Sequence, residues 1–597
     1  MPHAVEADYR ARLTARRADL ARRERHDVLL SRIRLAIVGV ALLAFLWWRT
    51  ALGWWYLVPV AAFVAAAAIH ARLISARERA SFAVTFYERG LDRLSGAWIG
   101  RGDAGESVRP ASHPYAEDLD VFGRGGVFEL LATTRTRAGS GTLARWLLHP
   151  APPDEVRARQ EAVRELTPLT DLRERLAVLG DGQDADIHAD LVREWATAPR
   201  RLPGGWTRLL LAALAATVVA IPAWWAVAGA VSTATARAFV AVLAVEGLLA
   251  AWFGSRVRAT IHHAATSARD LELVAALLHT IEQQPFTSDR LRGIQTELGG
   301  SDHPASAAIS RLGQLIALLE SRSNIMFALL AALLAWGTQL GFAIEAWRAR
   351  AGSHVPRWLE TLGEFEALAA LATFSAEHPD YTFPELLPPP ARIEAVALAH
   401  PLLPQTAVAN DVALGGEAPH LLVVSGSNMS GKSTLLRALG VNVVLAQAGA
   451  PVRAARLRLS PLAVGASIRV LDSLQDGKSR FYAEITNLKA IVDMTRAERG
   501  AVLFLLDEVL AGTNSHDRRL GADGVLTGLV DFGAIGLATT HDLALGEIAN
   551  RLSPAAANVH FEDVFDNGVL SFDYRLRPGL VRTSNALALM RSVGLEV

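Results

Sequence analysis

Apolar and polar positions follow three regimes along the chain. In the first, long stretches carry no Asp, Glu, Lys or Arg: residues 35–48, then 50–71 after a lone Arg49, and later residues 209–236, then 238–255 with Glu246 as the single acid. A bilayer core needs about 20 apolar residues per helix, so this pattern predicts two transmembrane helical hairpins. Trp47, Trp48, Trp54 and Trp55 cluster at the first turn, as interfacial aromatics do. A fifth run, 323–344, is also uncharged, but it contains Thr338 and Gln339 and has arginine on both flanks. It is read as a buried helix of the soluble core, because a fifth span would place the N-terminal segment and the downstream domain on opposite sides of the membrane. The second regime covers 118–195 and 355–375, where apolar residues recur at i, i+3 and i+4 and predict packed helices. The third begins near Ile393, after a linker marked by Pro384 and Pro388 to Pro390. Short apolar runs at 420–425, 501–506 and 534–538 alternate there with helical patterns, which predicts an α/β domain with a largely parallel sheet.

The expected organisation is therefore an Arg-rich segment at 1–34, hairpin 1 at 35–71, a helical core at 72–205 and 256–390 interrupted by hairpin 2 at 206–255, and the α/β domain at 391–597. Composition sharpens this picture in three ways. Lys+Arg and Asp+Glu both number 60, so no global charge recruits a polyanion. The absence of cysteine excludes disulfides, iron–sulfur clusters, thiolate zinc sites and cysteine nucleophiles. Arginine flanks both hairpins (Arg72 and Arg77; Arg200, Arg201 and Arg208; Arg256 and Arg258), while the turns within them are nearly uncharged. By the positive-inside rule both hairpins start and end in the cytoplasm. The expected location is a multi-pass protein of the cell membrane with a cytoplasmic α/β domain.

Candidate chemistry centres on residues 426–433, Gly-Ser-Asn-Met-Ser-Gly-Lys-Ser, which fit the phosphate-loop pattern G-x-x-x-x-G-K-[ST] between a strand and a helix. Gly426, Ser427, Asn428, Met429, Ser430 and Gly431 supply backbone N–H groups that bend around phosphates, and the helix start at Thr434 adds its positive end. Lys432 is expected to reach the β- and γ-phosphates of ATP, and Ser433 to hold Mg²⁺. Of the 60 basic residues 57 are arginine, so a lysine kept here marks a place where a compact ammonium suits better than a planar guanidinium. Asp507 and Glu508 end the run 501–506, which aims them at the same crevice. Asp507 is expected to hold Mg²⁺ and Glu508 to polarise the attacking water; His541, after the next strand, falls near the γ-phosphate.

Four segments in this order, GSNMSGKST (426–434), DSLQDGKSRFYAEI (472–485), LLDEVLAGTNSHD (505–517) and ATTHD (538–542), resemble the ATPase of the MutS mismatch-repair family. The likeness extends to His400-Pro401, to Ala409-Asn410-Asp411, and to residues 119–166 as the start of that family's helical core, about half the chain in all. The resemblance implies a helical MutS-like core with two inserted membrane hairpins, followed by a P-loop NTPase domain of ABC type. It implies a homodimer through the ATPase domains, in which Ser479 reaches the γ-phosphate held by the partner and Asn514 lies in the segment crossing the interface. DNA is the implied partner besides the lipid bilayer. There are departures: the mismatch-reading domain with its Phe-x-Glu wedge and the C-terminal helix-turn-helix are expected to be missing, hairpin 2 stands where the long levers run to DNA, and Ala407 replaces an aromatic that stacks on adenine. The expected function is a membrane-anchored, Mg²⁺-dependent ATPase acting on DNA. The alternative is an ATP-driven transporter-like or membrane-remodelling protein, which the missing LSGGQ signature of transporter ATPases disfavours.

Overall fold

The structure, a computed structural model, describes residues 2–47, 57–179, 189–203, 206–262, 268–299, 304–321, 330–427, 429–469, 480–511, 513–542, 545–566 and 569–581. The Arg-rich N-terminus is not a separate segment. It continues into the apolar stretch as one helix, α1 (Pro2–Trp47), which runs antiparallel to α2 (Leu57–Ser95). Pro2 sits at the helix start, where its missing N–H costs nothing. After it the only breaker residue is Gly39, and i,i+4 ion pairs Arg10–Glu6, Arg12–Asp8 and Arg23–Asp19 support the charged turns.

The charged half of this helix pair docks on the helical core. Arg93 of α2 binds Glu377 bidentately at 2.7 and 2.6 Å, with both side chains buried, and Tyr87 donates to Glu174 at 2.5 Å. Removing one partner of such a buried pair strands the other charge, at a cost of about 3–5 kcal/mol. The apolar half has no such cover: Leu35 is 74% exposed and Leu43 62%. Among the described residues, three helices are long and apolar enough to cross a membrane: α2, Trp206–Ala228 and Thr233–His262. α1 is not among them, because its uncharged stretch within the described residues, 35–47, is only about 20 Å long.

The fifth apolar run behaves differently. In its described part, 330–344, the chain turns at Ala335 (φ +39°) before a new helix, Trp336–Ala351, begins. Leu340, Phe342, Ile344 and Trp347 of that helix are buried, with Phe342 against Phe253 of the second hairpin. The long amphipathic segment forms helix Val355–Glu377, whose Leu362, Phe365, Leu368 and Leu371 lie in the middle of the helical core.

Among the described residues ten strands follow in chain order: β1 (Glu385–Leu386), β2 (Arg392–Leu398), β3 (Asn410–Gly415), β4 (Leu421–Ser425), β5 (Arg456–Leu459), β6 (Ala463–Ser467), β7 (Val502–Leu506), β8 (Ile535–Thr540), β9 (Ala556–Asp566) and β10 (Val569–Pro578). Six of them form one sheet in the order β10-β9-β4-β8-β7-β6, parallel except for the antiparallel β9–β10 edge. The other four form a second, mixed sheet, β1-β5-β2-β3, which the apolar pattern does not announce. The continuous apolar runs are explained by burial on both faces. Leu422 and Val424 of β4 face the core shared with the helical domain, while Leu421 and Val423 face a second core that includes Leu488 and Ile491 of helix Arg480–Ala497 and Leu526 of helix Ser515–Asp531. The phosphate-loop helix, Lys432–Ala448, is wedged between sheet and helical core. A Cβ at its Gly440 would lie 2.7 Å from the side-chain ends of both Leu119 and Leu505, which would have to shift to admit it.

Candidate functional site

Parallel pairing brings three strand ends to one edge. Ser425 of β4 lies beside Thr540 of β8, and Leu506 of β7 beside Ala538 of β8. The loops leaving this edge carry most of the residues expected to act. Gly426 (φ +146°) and Gly431 (φ +105°) open and close the loop in backbone conformations that suit glycine. Gly431 caps the helix that contains Lys432, Ser433 and Thr434. The Lys432 ammonium is buried (5% exposed) and donates to the carbonyls of Gly426 at 2.8 Å and Ser427 at 2.7 Å. Burial pushes its pKa below the ordinary lysine range, against the opposing pull of the Glu508, Asp507 and Asp563 carboxylates. Ser427 donates to Asp563 at 2.6 Å, Met429 projects outward at 83% exposure, and the buried Ser430 hydroxyl has no hydrogen-bond partner among the described residues. Asn428 lies outside the described residues.

Across the crevice, Thr539 positions both acids. Its hydroxyl donates to the Asp507 carboxylate and accepts the Glu508 N–H at 2.9 Å. Glu508 adopts φ +49°, a conformation that costs a non-glycine residue about 1–3 kcal/mol, and its side chain lines the cavity beside Lys432. His541 Nδ1 lies 3.8 Å from Glu508 Oε1. Asn514 stands apart from the cavity: it is exposed, caps helix Ser515–Asp531 and accepts the Asp517 N–H at 2.9 Å. Ser479 lies outside the described residues.

The cavity over the loop measures about 680 Å³ and is lined by Lys432, Ser433 and Glu508 together with Leu403, Ala407 and Tyr574, whose ring lies against Gly431 of the loop. Ala407, the small residue in place of an aromatic, thus faces a space that Tyr574 of β10 also borders. Tyr574 takes φ +54° at a register shift in β10, held there by Asn410, which donates to the Tyr574 carbonyl at 3.0 Å and accepts the Leu576 N–H at 2.7 Å. Arg453 secures the opposite wall by donating to the carbonyls of His400, Leu403 and Pro404. His400, buried behind that wall, is pushed down to about 4 by burial and by the nearby Arg437 and Arg453 charges. Nothing in the sequence pattern singles out Tyr574 or Arg453; Thr539 had a signal in its position between a buried strand and His541.

This arrangement offers a buried cation, a glycine-bent loop at a helix N-terminus, an unsatisfied hydroxyl and two carboxylates. A nucleoside triphosphate with Mg²⁺ fits that donor set, with Ser433 and Asp507 as the groups to hold the metal. Among the described residues no cluster of three or more His, Cys, Asp or Glu could hold a metal by itself. Mg²⁺ does not need one, since it usually binds through one or two protein groups plus substrate phosphates.

Residues 422–596 match the family model for MutS domain V. The chain is 36% identical over 256 residues to the DNA mismatch repair protein MutS 2 of Halobacterium salinarum, covering 41% of this chain and 28% of that protein. It is 35% identical over 230 residues to the endonuclease MutS2 of Thermomicrobium roseum (36% and 28%), and 32% identical over 241 residues to the mismatch repair protein MSH3 of Phaeosphaeria nodorum (39% and 21%). The likeness thus spans less than a third of the length of each of these relatives. Residues 422–596 thus match MutS domain V, and it is through this part that the chain is similar to proteins of the MutS family.

Proposed function

We propose that this protein is a membrane-anchored MutS-family ATPase that hydrolyses ATP in a composite site formed by two copies and acts on DNA at the cytoplasmic face of the membrane. The observation that carries the ATPase part is the meeting of Lys432, Asp507 and Glu508 at one sheet edge beneath a cavity large enough for a nucleotide. In this reading the phosphate loop and Lys432 bind the triphosphate, and Tyr574 borders the base. Glu508 takes a proton from the attacking water, and His541 lies close enough to sense the same charge. Mg²⁺, when bound, neutralises charge that develops on the phosphates. Ser479 and the segment around Asn514 act across the dimer interface. DNA enters from the printed names of the relatives, which include mismatch repair proteins and an endonuclease.

Membrane anchoring rests on exposed apolar surface along both helix pairs, far beyond the few hundred Å² that soluble monomers tolerate. The short apolar part of α1 is accommodated by snorkelling of Arg34 or local thinning of the bilayer. Single cysteines test the topology without competition from native thiols. In intact cells, Ser107→Cys and Ser515→Cys should resist a membrane-impermeant maleimide, and Ser232→Cys should react. Labelling of Ser515→Cys from outside would overturn the cytoplasmic placement of the ATPase.

One observation favours the second reading, a transporter-like or remodelling protein. Glu246 is buried within the second hairpin, and neither of its oxygens has a hydrogen-bond partner among the described residues, and intramembrane acids often mark transport pathways. Turnover of the purified full-length protein in detergent separates the two. The DNA reading expects ATP hydrolysis to rise with duplex, mismatched, branched or single-stranded DNA. Hydrolysis that ignores all four sinks it and leaves the second.

A further inference from the structure

The second hairpin carries an unusual charge arrangement at its foot. Arg200, Arg201, Arg208, Arg256 and Arg258 are all exposed, and among the described residues no carboxylate lies within ion-pair distance of any of them. The contrast with α1 is sharp, where Arg10, Arg12, Arg16, Arg17 and Arg23 each hold an acid. Two of the five reach backbone carbonyls only: Arg201 donates to Ala259 and Arg258 to Gly254. Sequence removes local partners, since Glu246 is the single acid between Trp195 and Arg269. Glu345, a carboxylate that the fold brings to Arg201, is already committed. It is buried, it accepts from Arg348 at 2.7 and 2.9 Å, and it accepts the backbone N–H of Arg201 at 3.1 Å.

The depth of these arginines is set by the helices. Trp206 and Trp252 are 70% and 74% exposed at the foot, and Trp224 is 64% exposed near the turn. From Trp206 to Trp224 is 18 residues of helix, about 27 Å at 1.5 Å per residue, close to the ~30 Å of a bilayer's hydrocarbon core. Arg256 and Arg258 then lie about 6–9 Å beyond Trp252 along the same helix, where the headgroup layer follows the hydrocarbon. Guanidinium groups pair bidentately with phosphodiester oxygens.

We propose that the foot of the second hairpin is a binding collar for anionic phospholipid headgroups, formed by Arg200, Arg201, Arg256 and Arg258 beneath the Trp206/Trp252 belt and by Arg208 at the level of the belt, two residues above Trp206. This rests on the membrane reading above and names the lipid class that the surface takes. A lipid satisfies both halves of the surface at once, because its acyl chains cover the exposed apolar face at the height where its phosphate meets the arginines. Free phosphate or a nucleic acid satisfies only the charge.

The test uses the full-length protein in neutral detergent, titrated separately with phosphatidylglycerol, phosphatidylcholine, inorganic phosphate and duplex DNA, with thermal unfolding as the readout. Phosphatidylglycerol should raise the melting temperature saturably, and the other three should not. Each arginine near an anionic surface is worth about fivefold in affinity, so Arg256→Gln with Arg258→Gln should weaken the phosphatidylglycerol response by about 25-fold. The same two positions changed to lysine should retain most of it. Equal stabilisation by phosphatidylcholine, a matching response to inorganic phosphate, displacement of the lipid effect by DNA, or an unchanged response in the glutamine variant would each overturn the collar. An alkaline carbonate wash of cell membranes keeps the two ideas apart. Release of the wild-type protein sinks the membrane reading itself, whereas retention with no anionic-lipid response sinks only the collar.

Discussion

Glu508→Gln is expected to bind ATP about as tightly as the parent protein while turning it over about 10²-fold more slowly or worse. The substitution keeps the size and the hydrogen-bonding shape of the side chain but removes the base. The left-handed backbone at Glu508 and the Thr539 hydroxyl that accepts its N–H are set by the loop and not by the carboxylate, so the variant should fold. Lys432 and Asp507 remain, so nucleotide affinity should survive. Single-turnover hydrolysis measured beside equilibrium binding of a fluorescent ATP analogue separates the two effects. Turnover within about threefold of the parent would remove Glu508 from its assigned role, since losing a general base typically costs ~10²–10⁴-fold.

Lys432→Ala should fail earlier, at binding. The ammonium is buried among the Glu508, Asp507 and Asp563 carboxylates, whose combined negative field opposes a triphosphate. Without it the phosphates meet uncompensated acids, and the Gly426 and Ser427 carbonyls lose their donor. Truncating one partner of a buried charge pair costs about 2–5 kcal/mol, so affinity should fall by about 30-fold at the least. Lys432→Arg should not rescue it, because the niche is nearly closed and a planar guanidinium is wider than an ammonium. Equal ATP affinity in parent and Lys432→Ala protein would contradict the phosphate-loop assignment. Thermal unfolding of both variants guards against a folding defect, and the arginine variant adds a second reading of the same niche.

Much of this protein is legible without coordinates, and the reason is local. A phosphate loop needs glycines at fixed offsets, a lysine and a strand on its N-terminal side, all within about twenty residues. The acids Asp507 and Glu508 announce themselves because a strand buried on both faces must be apolar until it ends, so a carboxylate pair directly after it marks the sheet edge. Hairpin 2 is legible for a similar reason, since apolar length is a one-dimensional property. Boundaries set by continuity are less so: residues 1–34 look like a separate charged segment, yet helix propagation carries α1 through the change of composition.

What only the tertiary structure decided involves residues brought together from far apart in the chain. Tyr574 reaches the cavity over the phosphate loop because a register shift in β10, pinned by Asn410 from 164 residues away, turns it there. The four-stranded mixed sheet arises from strands too short and too interrupted to show a period. The described part of the run 323–344 resembles a membrane span by composition, but Ala335 breaks it and Phe342 and Ile344 pack into protein. The unpaired state of the arginines at the foot of hairpin 2 likewise depends on Glu345 being held by Arg348. Local chemistry is encoded in neighbouring residues, whereas partner choice among distant groups is settled only when packing decides which of them meet.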